Sequence, residues 1–181
     1  MKPYLAACLL VASAPLLAAP IDSGQSRIDF TLKQMDIPMQ GQFKRIGGDV
    51  TLDPANAAQG RANLTIQIAS ISLPTADATA QTKQPAWFNA TRFPTAQLIT
   101  SSIKPLGGNR FQFSGKLTIK GTTRDVSAPF TLSRQGALSV VDGTLPVSRL
   151  AYKVGEGEWA DTDTVADSVL IKFHIAYPSS K

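Results

Sequence analysis

Apolar and polar residues alternate along most of this chain, and that alternation limits its fold more than any other feature. In residues 62–68, 111–119, 126–132 and 169–175, and more briefly in 28–32, nearly every second side chain is apolar. Because successive side chains of a β-strand point to opposite faces, a period of two predicts strands with one apolar and one wet face. This pattern is typical of antiparallel sheets.

Eight strands are predicted in all. In residues 39–53 the apolar phase changes between Phe43 and Val50, and Gly47-Gly48 lies between them. A glycine pair at a phase change indicates a bulge or a tight hairpin, and counting this segment as two strands would give nine. The predicted strands are residues 28–32, 39–53, 62–68, 95–104, 111–119, 126–132, 138–147 and 169–175.

The strand count favours a closed barrel. Closure removes the unpaired edges of an antiparallel sheet, and about eight strands leave an interior for side chains or one small ligand. We therefore predict an all-β, eight-stranded antiparallel barrel with a short helical insertion. Pro129 cannot donate to a ladder, which indicates a gap, a bulge or incomplete closure there. An outer-membrane barrel is disfavoured, because Lys116 and Lys172 fall on the outward face and no aromatic girdle is visible.

Two long connections interrupt the alternation. Residues 72–93 lack the period of two and predict the short helix, and residues 148–166 form a second long loop. Long loops in a compact β domain are often functional. Their aromatic residues could form the mouth of a pocket or a plug that closes the barrel. Arg149, in the second loop, could pair with an acid or with the polar end of a ligand, and the ion pair is favoured.

The first 18 residues have the layout of a secretory signal peptide. Lys2 precedes an apolar run over residues 5–17, and small residues follow at Ala18 and Ala19. We predict a cleaved signal at residues 1–18 and a single domain at residues 19–181, exported to the periplasm. Cleavage after Ala19 is the alternative. A lipoprotein cleavage at Cys8 is disfavoured, because the apolar run continues past it.

Composition excludes several classes of site. The chain has one His and one Cys, so a site with two His or two Cys ligands cannot form within it. Its 18 basic and 13 acidic residues are scattered, which does not indicate a nucleic-acid-binding protein. Without a nucleophile elbow, a phosphate loop or a dinucleotide motif, we predict no catalytic activity, no metal and no cofactor.

Several ordered motifs resemble one family. Gly41-Gln42-Phe43, Trp87-Phe88-Asn89, Phe93-Pro94-Thr95-Ala96 and Ser148-Arg149-Leu150-Ala151-Tyr152 occur in turn, and Phe113-Ser114-Gly115-Lys116-Leu117-Thr118-Ile119-Lys120-Gly121 forms a strand-turn block. Together they resemble the YceI-like family of periplasmic, lipocalin-like proteins. The resemblance implies an extended barrel with an elongated apolar pocket for a long-chain amphiphile, such as a polyisoprenoid or quinone-type lipid. It also implies a possible membrane b-type cytochrome partner; it does not give the oligomeric state.

Thirteen residues are candidates for contact with such a ligand. Each could instead be part of a filled core, and for the inward-facing residues that interpretation is favoured, because small barrels usually pack their interiors. They are the inward-facing Phe30, Phe43, Ile66, Ile68, Phe113, Leu117, Phe130 and Phe173, and the loop aromatics Trp87, Phe88, Phe93, Tyr152 and Trp159.

Two functions from different classes therefore remain. The first is a periplasmic binding protein that holds a long-chain amphiphile by burying its hydrocarbon. The second is a non-catalytic structural protein with a filled barrel that contacts a membrane respiratory partner. A continuous apolar cavity would favour the first, and a solid interior would favour the second.

Overall fold

The alternating segments form one antiparallel sheet that curls into a half-barrel around its apolar face, in a computed structural model that describes residues 18–179. The predicted signal peptide lies, except for residue 18, outside the described residues, as does Cys8. The strands are β1 (Ala19–Pro20), β2 (Arg27–Gln34), β3 (Ile37–Phe43), β4 (Ile46–Thr51), β5 (Arg61–Gln67), β6 (Ile71–Ser72), β7 (Thr95–Gly107), β8 (Arg110–Ile119), β9 (Thr122–Gln135), β10 (Leu138–Ser148) and β11 (Ser168–Pro178).

The prediction of eight strands is wrong, because the sheet has eleven in the order β1-β4-β5-β7-β8-β9-β10-β11-β2-β3-β6. Two of the additional strands, β1 and β6, contain two residues each and are too short to show alternation. The third arises because residues 39–53 contain two strands, which was the alternative count. The all-β, lipocalin-like fold is confirmed.

The split between β3 and β4 lets one stretch of chain pair with two strands that lie far apart in the order of the sheet. β3 pairs with β2, whereas β4 pairs with β5. The change of partner falls at Lys44 and Arg45, which bond to the β5–β6 connection and to the end of β5: Lys44 N donates to Ser70 O (3.2 Å) and Gln67 N donates to Arg45 O (3.0 Å). The apolar phase therefore changes there and not at Gly47-Gly48, which lies within β4.

Gly48 has a different role from the predicted break. Its φ is +128°, and a Cβ at this position would lie 2.0 Å from the carbonyl oxygen of Asn63 on β5. The close approach of two strands thus requires glycine here. The ladder continues through it without a register shift.

Pro129 marks a real gap in the sheet. The β9–β10 ladder runs from the Gln135–Leu138 turn to the pair Phe130–Gly143 and ends there. Pro129 follows immediately, and Pro146 lies in the part of β10 that pairs with β11 alone. Neither proline has an N–H to donate. Of the three alternatives predicted at Pro129, the structure shows a local gap on the β10 side, while Pro129 still pairs with Gln112 of β8.

The connections divide between two ends of the half-barrel. At the end that we call the closed end, a 3-10 helix (Pro54–Gln59) and the β7–β8 and β9–β10 turns cover a core that includes Leu52, Ile103, Phe111 and Val140. At the opposite end, which we call the lid, lie residues 68–94 and 149–167. No helix within residues 18–179 is long and apolar enough to span a membrane.

The predicted helical insertion is α1 (Ala76–Thr82), in the lid. Thr75 caps its start, because its Oγ1 accepts a hydrogen bond from Ala78 N (3.2 Å), and Asp77 lies in the first turn. The helix ends at Lys83, after which tight turns carry the chain through Trp87 and Phe88 to β7. Three further 3-10 helices are Ile68–Ser70, Leu150–Tyr152 and Gly157–Ala160.

Candidate functional site

An apolar cavity occupies the interior of the half-barrel. Its volume is about 180 Å³. An apolar cavity of about 150 Å³ is already large enough to hold a benzene ring. The accessible wall is entirely apolar. The interior is therefore not a solid core.

Eleven of the thirteen predicted contact residues line this cavity, and two do not. Phe93 packs outside it against Gly121, and Trp159 lies behind Trp87 with ring centres 5.5 Å apart. The loop aromatics thus form both wall and outer support. Those in the wall are Phe30, Phe43, Ile66, Ile68, Trp87, Phe88, Phe113, Leu117, Phe130, Tyr152 and Phe173.

The aromatic rings form two contacting groups on the wall. Phe43 joins Phe30 (ring centres 5.5 Å apart) to Phe88 of the lid (5.9 Å). On other strands, Phe113 lies 6.5 Å from Phe130 and 6.1 Å from Phe173. Such tilted and edge-on pairs are favourable arrangements for aromatic rings. The first group connects the sheet to the lid, and the second supports the wall across β8, β9 and β11.

Aliphatic residues form most of the remaining wall, and these were absent from the predicted contact set. They include Leu32, Leu64, Leu98, Leu145, Val147 and Ile171, all at inward positions of the strands. The period of two already marks most of them as inward-facing. What the sequence could not distinguish was an inward residue that borders free space from one that fills it.

Polar side chains in the lining bond to the protein itself. Thr100 Oγ1 accepts from Ala62 N at 2.7 Å, and Thr82 Oγ1 donates to Thr79 O at 2.9 Å. Each hydroxyl therefore already has a backbone hydrogen-bond partner within the protein. The cavity therefore offers chiefly apolar contact.

Arg149 organises the lid through five backbone carbonyls. It is 4% exposed, and its guanidinium donates to the oxygens of Val154 (3.0 Å), Gly155 (2.9 Å), Trp159 (2.7 Å), Val165 (2.6 Å) and Ala166 (3.1 Å). All five N–H groups of an arginine are thereby used. The ion pair expected for Arg149 is wrong: carbonyls of its own loop surround it.

Burial and charge have opposite effects on Arg149. Desolvation lowers the pKa of the guanidinium, and the nearby Asp167 carboxylate raises it. Asp167 itself accepts from Ser148 Oγ and Leu150 N, both at 2.9 Å. Gly155 allows this packing, because a Cβ there would lie 2.3 Å from an Arg149 nitrogen and its φ is +78°. A single buried cation thus fixes the shape of the loop.

Lys120, in the β8–β9 turn, connects that turn to both segments of the lid. Its side chain is largely buried, and Nζ donates to the carbonyl oxygens of Ala86 (3.3 Å) and Lys153 (2.7 Å) and pairs with Glu156 (2.8 Å). Ala86 O also accepts from the backbone N–H groups of Gly155 and Glu156, both at 2.9 Å. The β8–β9 turn, the segment after α1 and the second long loop are held together at this point.

Trp87 lies where the lid meets the cavity. The ring is 8% exposed, contacts Trp159, and has the Arg149 guanidinium carbon 5.8 Å from its centre. Tyr152, another residue of the lining, is buried, and this burial raises the pKa of its phenol. The lid side of the wall is therefore aromatic and lies next to a buried positive charge.

Comparison with known proteins identifies the family of this chain. A family model described as the YceI-like domain matches residues 20–177. The chain belongs to the YceI-like family. The resemblance drawn from the sequence motifs is thus confirmed.

The chain is about 30% identical in sequence to two curated YceI-like relatives. The chain is 29% identical over 134 residues to the UPF0312 protein plu2095 of Photorhabdus laumondii, covering 72% of this chain and 69% of that one. It is 30% identical over 98 residues to the YceI protein of Shigella flexneri, covering 54% of this chain and 51% of that one. The match thus spans about half the length of the Shigella protein.

Solved structures share the fold over almost their whole length. BcnA of Burkholderia cenocepacia is 44% identical with a TM-score of 0.84, covering 86% of this chain and 98% of that chain. A polyisoprenoid-binding domain from Saccharophagus degradans, implicated in plant cell wall breakdown, is 14% identical with a TM-score of 0.73, covering 91% and 99%. The second likeness establishes the fold alone.

Proposed function

We propose that this YceI-like protein is a non-catalytic binding protein that holds a long-chain amphiphile in its cavity. The observation that carries the proposal is the continuous apolar wall, built from inward residues of most strands and from the aromatic side of the lid. The free space favours this function over the filled-barrel alternative. The fold that it shares with a domain described as polyisoprenoid-binding is consistent with a polyisoprenoid or quinone-type ligand.

Burial of hydrocarbon would supply the binding energy. Each buried methylene contributes about 0.8 kcal/mol, so about ten would contribute roughly 8 kcal/mol before ordering costs. That corresponds to a dissociation constant in the micromolar range or weaker. Because the wall offers no exposed polar atoms, chain length should matter more than head-group chemistry for overall affinity.

Lipid extraction of the protein, purified from its native host, tests the proposal directly. We expect mass spectrometry of the extract to show a long-chain amphiphile in near-stoichiometric amount. Protein that is isolated empty and that also fails to bind quinones and fatty amides in titrations would contradict the proposal.

A matched pair of variants tests whether the ligand lies in this cavity. Leu117 lines it, whereas the neighbouring Lys116 points outward and pairs with Asp125 at 2.9 Å. A Leu117→Trp side chain that displaces about two methylenes of ligand should weaken binding about tenfold. Lys116→Trp should leave affinity unchanged, and thermal melting should show that both variants fold. Equal affinities for all three proteins would place the ligand elsewhere.

Location and partners are further parts of the proposal. We propose export to the periplasm after removal of residues 1–18; the intact mass of the protein from the periplasmic fraction would test both points. A membrane b-type cytochrome is the partner that the family resemblance implies. Co-purification from solubilised membranes with lipid-loaded protein, but not with the Leu117→Trp variant, would support a partner that exchanges ligand with the cavity.

A further inference from the structure

Two neighbouring strands of the cavity wall are joined along only part of their length. The β9–β10 ladder ends at the pair Phe130–Gly143, although both strands continue from there toward the lid. No ladder pair within residues 18–179 joins residues 122–129 of β9 to residues 144–148 of β10. We call this unpaired boundary the seam. The prolines on its two sides have no N–H to donate, so the ladder cannot continue in register across it.

At the seam, a single strand separates the cavity from solvent. Leu145 and Val147 of β10 point inward and line the cavity, whereas Pro146 between them is exposed on the outer surface. Pro146 pairs with Leu170 of β11, which is 45% exposed. Apolar residues therefore lie on both faces of β10 beside the seam. A hydrocarbon chain that crosses here would meet apolar contacts both outside and inside the wall.

Side-chain packing and one exposed link hold the seam shut. On the β9 side, the inward-facing Val126 and Ala128 pack into the apolar core. At the lid end, Arg124 Nε donates to Ala151 O at 2.9 Å, and this bond is exposed. Opening the seam therefore breaks apolar contacts and an exposed hydrogen bond. Opening the wall between two paired strands would also break ladder hydrogen bonds, which makes the seam the least costly place to part it.

The free edge of β3 is the rival position for an opening. Residues 37–41 have no ladder partner within residues 18–179 on the side away from β2, because β6 pairs only with the last two residues of β3. The inward positions of this stretch include Ile37 and Met39. Neither belongs to the described part of the cavity lining. That edge therefore does not border the cavity as the seam does.

We propose that the seam is the portal through which the amphiphile enters and leaves the cavity. This inference rests on the proposed function and states how that site exchanges its ligand. From Arg124 to Pro129 the seam extends roughly 16 Å, at the usual rise of about 3.3 Å per residue. An extended chain can thus pass sideways between β9 and β10. The hydrogen bonds of Arg149 and Lys120 within the lid can stay intact while it does so.

A reversible bridge across the seam tests the portal. Continuing the ladder register three residues past Phe130–Gly143 places Ser127 opposite Pro146, and both are exposed. The variant Ser127→Cys/Pro146→Cys is bridged with a short bis-methanethiosulfonate reagent, which a reductant removes again. Cys8, the one native cysteine, is changed to Ser in every protein.

Decylubiquinone serves as the probe, because quinones quench tryptophan fluorescence and Trp87 lies in the cavity wall. Stopped-flow mixing with the probe gives the rate of entry. Mixing the loaded protein with excess phosphatidylcholine vesicles gives the rate of release. Both rates are measured on the bridged protein and again after reduction of the same sample.

The bridge should slow entry and release by about tenfold or more, because any other route must break ladder hydrogen bonds as well. The dissociation constant should stay the same, since both rates fall together. Reduction should restore both rates, which also shows that the bridged protein was folded. The matched control is Arg134→Cys/Ser139→Cys, a directly paired position on the same two strands. The same bridge there should leave both rates unchanged.

The outcomes separate the portal from the carrier function. If the bridged protein exchanges decylubiquinone as fast as its reduced form, the portal lies elsewhere and the carrier function stands. Slowing by the control bridge to the same extent would also overturn the seam. Should the first pair not fold in thermal melting, Asp125→Cys/Ser148→Cys, nearer the lid, is judged by the same criteria. If the unbridged parent does not bind decylubiquinone, the quinone-type ligand of the proposed function fails and the portal fails with it.

Discussion

Replacing Arg149 by methionine should destabilise the lid strongly, and the structure gives the size of the effect. Methionine keeps much of the side-chain length but leaves five carbonyls without their donor. Three of these bonds are fully buried, and an unsatisfied buried group costs about 1–3 kcal/mol. Allowing for partial access of water, we expect a loss of about 3–5 kcal/mol, or roughly 10 °C in melting temperature for a domain of this size.

Arg124→Met is the matched control. Arg124 is exposed, lies at the same end of the half-barrel, and donates one bond, from Nε to Ala151 O at 2.9 Å. It should cost about 1 kcal/mol or less. Hydrogen exchange would show whether residues 150–166 open alone or with the whole domain. If Arg149→Met melts within about 2 °C of the parent, and exchange in this loop is unchanged, the assignment of Arg149 as organiser of the lid is refuted.

Three further predictions follow from individual contacts. Burial raises the pKa of Tyr152 and of Tyr177, so above about pH 10 these phenols ionise first in the unfolded state and the free energy of unfolding should fall. Denaturant titrations of the parent and of a variant with Phe at both positions check this, because the variant should lose this part of the pH dependence. Tyr177→Phe alone should stay within about 1 kcal/mol of the parent near pH 7, because its buried hydroxyl makes no hydrogen bond of good geometry within residues 18–179, although Ser139 lies close enough to lower the phenol pKa; a larger loss in thermal melting would contradict this. Gly41→Ala should cost about 1–3 kcal/mol, because the added Cβ would lie 2.3 Å from the Phe30 ring, while Gly47→Ala, with open space around it, should not destabilise.

Most of the sheet could be predicted from sequence because each strand has one apolar face. The signal was strong where inward positions held large side chains, as in β8, where residues 111–119 were expected and Arg110–Ile119 is observed. It was weak at strand ends: β9 extends from Thr122 to Gln135, beyond the expected 126–132, through residues that are mostly exposed. Polar residues on both faces leave no period to detect, although the backbone ladder continues.

Tertiary pairing decided the features that the alternation could not show. β1 and β6 form because two residues of each pair with the free edge of a neighbouring strand, β4 and β3 respectively. The two residues themselves have no pattern that predicts a strand. The change of apolar phase in residues 39–53 was visible in the sequence, but it was assigned to Gly47-Gly48 and not to Lys44 and Arg45, where the structure places it. There the chain changes partner from β2 to β5, which depends on how the whole sheet pairs and not on local sequence.

The cavity wall was predictable in composition, whereas the lid was not. Any inward residue of a curled sheet has a high chance of bordering the interior, so Phe30, Phe113 and Phe173 followed from phase alone. Arg149 was expected to meet an acid because charge pairing is the usual solution for a buried cation. The loop instead turns five carbonyls toward it, an arrangement that depends on Gly155 and on the path of residues 154–166.

The gap between β9 and β10 explains why the lid needs such contacts. Beyond the pair Phe130–Gly143 the two strands no longer share a ladder, and Pro129 and Pro146 could not donate to one. The part of the wall next to the lid therefore lacks the β9–β10 backbone hydrogen bonds that are present nearer the closed end. Lys120 and Arg149 supply side-chain links in their place. Local opening costs least where backbone ladders are missing. We therefore expect the lid side of the half-barrel to open before the closed end does, and a ligand to enter and leave there.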